Sequence, residues 1–297
     1  MNNLAQSYAL CQRIARASAS NFYFSFLLLP REKRRATCAL YAYLRRADDL
    51  GDDRLAADIA RPAALAQLRD ELNRALDGET SDPILWALAD TAAQYKIPRN
   101  YLTDVLDGVE MDLAGKRYET FADLEQYCYR VASVVGLSCI HIWGFRGPEA
   151  LEPARQCGIA FQLTNILRDL KEDSSVGRVY LPLDDLRRFE CTTEDLARGE
   201  STGKLVALIQ FEIACAQQFY AAASRLEGLL ERDGRRVFRA MMETYRALLH
   251  KIRSRPADVF HRRIRIGKWE KLKIASRAIL SRPVGRDLKS AAEAVSP

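Results

Sequence analysis

The stretch YLRRADDLGDD, Tyr43 to Asp53, sets four carboxylates and two arginines around one glycine, shortly after the apolar run FSFLLLP at 24–30. Crowding like charge costs repulsion, so the arrangement needs a reason. Helical spacing supplies one, because residues three and four apart share a face. Tyr41, Arg45, Asp48 and Asp52 then form one stripe, with Asp49 and Asp53 on the next. Alone, a D-x-x-x-D pair reads as a solvated helix end, and Arg45 with Asp49 as a surface ion pair of little energetic value.

A second stretch repeats the pattern. In FQLTNILRDLKED, Phe161 to Asp173, the residues Gln162, Asn165, Asp169 and Asp173 share a stripe, while Phe161, Ile166 and Leu170 lie opposite. Arg168 and Glu172 read as a solvated pair on the outer face. Two amide-and-acid stripes in a chain of apolar helices point to carboxylates that face one another across a bundle. Hard oxygen donors without His or Cys select Mg²⁺, Mn²⁺ or Ca²⁺ over zinc, and Mg²⁺ is commonly completed by substrate phosphate oxygens. The pair therefore reads as a cradle for a diphosphate, with Arg45 and Arg178 holding the anion.

A diphosphate leaving an apolar cavity leaves a carbocation, which needs aromatic faces and walls without nucleophiles. The segment RYETFADLEQYCYRVASVVGLSCIHIWG, 117–144, suits such a wall. Tyr127, Val131, Val135 and Ser138 fall on one face, and Ala132, Ser133 and Gly136 leave room beside it. Core packing is the competing reading of these residues.

The remaining sequence sets the frame. Of 297 residues, 48% are hydrophobic and 28% charged, with only 15 Gly and 10 Pro, a composition that favours helix. Helical periodicity places helices at 4–17, 31–50, 62–77, 83–95, 98–114, 121–145, 149–172, 183–189, 201–231, 234–252 and 268–280. No linker marks a boundary, so one all-α domain over 1–297 is expected. The net charge of +6 is compatible with anionic lipid or phosphate and does not argue for nucleic acid. Seven cysteines without a C-x-x-C pair suit a reducing cytoplasm. His141, His250 and His261 are too scattered for a zinc site. The start MNNLAQSYALCQRI lacks a signal peptide's layout, and no apolar run approaches the ~20 residues of a membrane span.

Five stretches, FYFSFLLLPREKRRA, ALYAYLRRADDLGDD, GVEMDLAGKRYETFADLEQYCYRVASVVGL, AFQLTNILRDLKED and GRVYLP, together resemble the squalene/phytoene synthase family. That resemblance spans about residues 18 to 182 and continues more weakly to about 282. It implies an isoprenoid-synthase-type bundle around a central cavity that joins two prenyl diphosphates head to head through a cyclopropylcarbinyl diphosphate. It also implies catalytic roles for Asp48, Asp52, Asp169, Asp173 and Tyr127, and Mg²⁺ or Mn²⁺ held by Asp48, Asp49, Asp52, Asn165, Asp169 and Asp173. Tyr41, Arg45, Arg178 and Tyr180 match residues around the diphosphates, Gln162 a polar cavity residue, and Phe22, Phe26, Val131 and Ala132 the channel lining. Tyr245 and Arg262 fall near phosphate-side contacts.

Three departures stand out. Asn21 precedes Phe22 where a serine pair is usual, Leu44 replaces a common cysteine, and Gly51 replaces a bulkier residue. Gly51 is expected to loosen the helix end that presents Asp52.

The stretches at 22–36 and 109–137 resemble most the bacterial hopanoid-pathway branch, which favours farnesyl diphosphate and a presqualene diphosphate or squalene-type product. Phenylalanines along the channel, at 22, 26 and 161 beside Cys157, point the same way. Phytoene synthesis from geranylgeranyl diphosphate is the alternative, followed by a terpene cyclase and a non-catalytic lipid binder. NADPH use is undecided, because family members that use it also lack G-x-G-x-x-G. The tail FHRRIRIGKWEKLKIASRAILSRP, 260–283, reads either as a solvated cap or as peripheral contact with the inner face of the cytoplasmic membrane. Oligomeric state is left open.

Overall fold

The computed structural model describes residues 3–18, 23–52, 60–267, 270 and 273–274, with the backbone alone at 52. Asn21, Phe22, Asp53, the side chain of Asp52 and most of the expected helix at 268–280 lie outside the described residues.

The order of elements is α1 (Leu4–Ala17), α2 (Tyr23–Phe26), α3 (Arg31–Asp52), α4 (Ala60–Leu76), α5 (Pro83–Tyr95), α6 (Arg99–Leu113) and α7 (Phe121–Cys128). A π-helical turn, Tyr129–Ser133, leads into α8 (Val134–Trp143). A 3₁₀ turn, Pro148–Ala150, then leads into α9 (Leu151–Ser175), followed by α10 (Leu183–Arg188), α11 (Thr193–Arg198), α12 (Gly203–Ala223), α13 (Leu226–Leu229) and α14 (Arg232–Ser254). No strand occurs among the described residues, and one antiparallel bridge joins Phe145 to Leu230. The fold is all-α.

The helix starts follow local chemistry. Asn3 and Thr120 close capping boxes with Gln6 and Asp123, and Asp82 accepts from the amides of Ile84 and Leu85 ahead of Pro83. α11 was not expected, although Thr192 and Asp195 form a third capping box around it. The expected helix at 201–231 is two elements, because the chain turns after Ala223 and bridges at Leu230.

The 27 residues Gly203–Leu229 are long and apolar enough to cross a bilayer by composition, which corrects the sequence reading. Leu205, Leu208, Ile209, Ile213, Ala216 and Tyr220 are buried, and Thr164 and Tyr220 share a hydrogen bond of 2.8 Å between α9 and α12. α9 is the central helix, packed by α7, α8, α12 and the π turn.

The π turn occupies a tight place. A Cβ on Gly158 of α9 would lie 2.4 Å from the Ser133 Cα, and one on Gly108 of α6 2.5 Å from Val131 Cγ1. Only glycine lets both helices close on this turn. The expected continuous helix at 121–145 is therefore one helix interrupted by a wider turn, a feature frequent at functional sites.

Candidate active site

A cavity of about 320 Å³ runs along α3 and α9. On α3 its lining passes from Thr37 through Leu40, Tyr41 and Leu44 to Arg45 and Asp48. Those eleven steps cover about 16 Å of helix. α9 runs the same sequence of polarity, from Ala154, Cys157, Gly158 and Phe161 to Gln162 and Asn165. Arg45 and Asp48 of one stripe and Gln162 and Asn165 of the other therefore line one end of one cavity. Asp169 and Asp173 lie one and two turns beyond Asn165 on the same helix.

The π turn supplies the wall. Val131 and Ala132 line the cavity, with Val135, Gly136, Cys139, Ile140 and Trp143 of α8 continuing it. Ser138 and Ser133 turn away and donate to the Val134 and Arg155 carbonyls, so neither hydroxyl is available to trap a cation. Phe161 stacks on Tyr245 of α14, with ring centroids 4.1 Å apart, and the Tyr245 hydroxyl donates to Asn165 Oδ1 at 3.3 Å. Phe26 meets Tyr41 edge-on at 6.1 Å. Lys33 donates to the carbonyl of the lining residue Trp143 at 2.7 Å.

Asp112 is the site residue that sequence reading missed. It lines the cavity and accepts from the Tyr127 hydroxyl at 3.1 Å and the Tyr180 hydroxyl at 2.9 Å. The rings of Tyr127 and Tyr180 stack with centroids 5.2 Å apart, and Tyr118 packs beside them. Burial, followed by the Asp112 charge, holds both phenols well above the ordinary tyrosine value, so they remain protonated donors.

The second acid stripe is partly neutralised. Asp169 is paired with Arg168 and with Arg263, whose Nε lies 2.8 Å from Oδ1. Arg168 is half-buried and turned onto Asp169, which corrects its reading as a solvated partner of Glu172. The Asp173 carboxyl is pushed up to about 7 by burial and then by Asp169, with Arg178 opposing. Arg178 also donates to the Gly51 carbonyl at 3.1 Å, tying the loop after α9 to the end of α3. Gly51 is buried, and a Cβ there would press on Val109 at 3.3 Å, so this glycine seats the helix end rather than loosening it.

Arg262 is exposed and bound to Asp258 at 2.6 Å, while its neighbour Arg263 reaches the acid stripe. Asp49 is exposed and paired with Arg45 at 2.5 Å. Among the described residues, no three acids, histidines or cysteines converge closely enough to hold a metal ion. The donor chemistry nonetheless fits a hard cation. Only oxygens are offered, and burial followed by the Asp169 charge raises the Asp173 carboxyl to about 7, a crowding of acid that a bound cation would relieve.

Residues 15–270 match the family described as Squalene/phytoene synthase. The chain is 37% identical to a phytoene synthase of Mycobacterium bovis over 286 residues, 95% of this chain and 93% of that one. It is 36% identical to a 15-cis-phytoene synthase of Synechococcus elongatus, with 91% of each covered. A dehydrosqualene synthase solved with a ligand superposes with a TM-score of 0.85 at 31% identity, over 93% of this chain and 96% of that one. The squalene synthase HpnC from Alicyclobacillus acidocaldarius gives 0.79 at 30%, over 84% and 94%. The bundle, the cavity graded from apolar to acidic and these matches agree: the chain belongs to the squalene/phytoene synthase family of prenyl-transferring enzymes.

Proposed function

We propose that the protein condenses two molecules of geranylgeranyl diphosphate head to head, giving a phytoene-type C40 product. The observation that carries the reading is the grading of one cavity from carboxylate, arginine and amide to aromatic and aliphatic walls. A prenyl diphosphate has that same grading along its length. The C20 tail is supported by the relatives of Mycobacterium bovis and Synechococcus elongatus, both named as phytoene synthases.

The residues divide the work by position. Arg45 and Arg178 offer guanidinium donors to the diphosphates, where planar forks suit phosphate oxygens. Asp48, Asp52, Asn165, Asp169 and Asp173 would hold Mg²⁺ or Mn²⁺, with Asp49 beside them. When bound, the metal would draw off charge from the departing diphosphate. Tyr127 and Tyr180 present ring faces to developing positive charge, and Asp112 fixes their hydroxyls so that neither phenol ionises into a nucleophile. Val131, Ala132, Val135 and Phe161 hold the tails with side chains that carry no nucleophile. Gln162 sits where the polar and apolar linings meet.

Farnesyl diphosphate as substrate, with a presqualene diphosphate or squalene-type product, is the second reading. It is favoured by the likeness to the dehydrosqualene and HpnC squalene synthases and by Phe26 and the stacked Phe161–Tyr245 pair narrowing the channel. Incubating the protein with each diphosphate and Mg²⁺, with and without NADPH, and identifying extracted products decides between them. Phytoene from the C20 substrate is expected. Turnover of farnesyl diphosphate alone overturns the C20 assignment.

A further inference from the structure

The apolar end of the cavity stops at an element that is apolar on both sides. α2 turns Phe26 inward onto the cavity, leaving it 4% exposed. On the outer side Phe24 and Leu27 are 52% and 48% exposed. Single exposed apolar residues need no explanation, but a neighbouring pair over the tail end of a cavity does.

The surroundings of that pair are basic. α2 packs on α3 and α14, and Phe26 clusters with Ala15 of α1. Arg16 ends α1, Arg31 and Arg34 begin α3, and Arg232 and Arg236 begin α14. The acids at this end are already engaged. Glu231 and Asp233 pair with Lys33 at 2.9 and 3.8 Å, and Glu32 with Arg35 at 2.6 Å. No ion pair among the described residues engages Arg16, Arg31, Arg34, Arg232 or Arg236. An aromatic and an aliphatic side chain amid uncompensated arginines is the pattern of a surface that enters the headgroup region of anionic lipid. Each such basic residue near the surface contributes about 1 kcal/mol.

We propose that the α2 end of the bundle is a docking surface for an anionic bilayer, with Phe24 and Leu27 entering the boundary between headgroups and acyl chains. The apolar end of the cavity then faces hydrocarbon, while the acid end faces water. The docking depends neither on tail length nor on the product, and it is assayed without turnover.

The test is flotation of the full chain with vesicles of phosphatidylcholine alone and with phosphatidylglycerol added. The wild type is expected to float only with the anionic vesicles and to be released by salt. Phe24→Ser/Leu27→Ser and, separately, Arg31→Glu/Arg232→Glu are expected to lose at least tenfold in vesicle affinity, with helical circular dichroism and detergent-solution activity unchanged. A wild type that floats with neither vesicle overturns the proposal. So does flotation unaffected in both variants, which would assign binding to another surface such as the basic 260–283 tail. A concentration-dependent dimer in light scattering that Phe24→Ser/Leu27→Ser abolishes also overturns it, since a second copy would then cover the patch.

Discussion

Asp112 shows what a sequence hides at the scale of single residues. The stretch DVLDGVEMD contains Asp104, Asp107, Glu110 and Asp112, and nothing in its spacing singles out the last. Its partners lie 15 and 68 residues further along, so only the folded chain selects it. The acid stripes were legible because their partners are one helical turn away, within reach of periodicity. Replacing Asp112 by Asn keeps the shape but removes the charge that both phenols address. Turnover should fall about 10- to 100-fold while stability drops by about 1–3 kcal/mol, the cost of weakening buried hydrogen bonds. Steady-state kinetics beside urea titration separate the two effects, and wild-type turnover would remove Asp112 from the site. The two neighbouring arginines make a sharper comparison. Arg263→Ala uncovers Asp169 and should reduce turnover or raise KM at least several-fold, whereas Arg262→Ala, which loses one exposed ion pair, should change both by less than about twofold. Equal effects would mean that the contact with Asp169 carries no function.

Among the elements, α12 carries an acid with no part in the proposed chemistry. Glu212 is 2% exposed, faces Asp185 of α10, and leaves Oε1 without a hydrogen-bond partner. Burial and then Asp185 push its carboxyl up to about 8 from an ordinary 4.5. The native chain therefore keeps a proton that the unfolded chain releases. This contribution to stability is fully present below about 4.5 and is lost as pH rises toward about 8. Unfolding free energies of Glu212→Gln should show a flatter slope across that window and exceed the wild type at its alkaline end. Parallel slopes would show that Glu212 titrates normally. The interrupted helix at 129–133 teaches a different lesson. Helical period was readable there, but the wider turn was not, because it is imposed by the close approach of α6 and α9. Gly158→Ala must move the Ser133 backbone, so a loss of about 1–3 kcal/mol is expected in denaturant titration, together with reduced turnover. Unchanged stability would show that the two helices separate freely.

Across the whole molecule, polarity is sorted end to end, with carboxylates at one end of the cavity and arginines around α2 at the other. Removing divalent metal should abolish turnover while leaving the helical spectrum intact, since the bundle is held by its apolar core and not by a cation. Turnover persisting in excess chelator would exclude metal from the reaction. The all-α class and one end of the cavity were readable from periodicity and charge. The length of the substrate was not, because it depends on the space that Phe26, Phe161 and Tyr245, from three helices, leave in the cavity. The wider turn at 129–133 reaches beyond its own five residues. It works as a phase offset, carrying about one residue more than an α-helical path would need, so the segment bearing Tyr127 and the segment bearing Cys139 and Trp143 are held in register by a spare. Deleting Ala132 would remove that spare and let the two segments continue as one α-helix with Tyr127 and Trp143 kept on their present faces, at the cost of one wall residue. A deletion outside the turn has no such slack: it would rotate one segment against the other by about 100°, one residue's turn of helix, and carry Tyr127 off the face it shares with Asp112. Sequence drift along this wall can therefore change its length only at the turn.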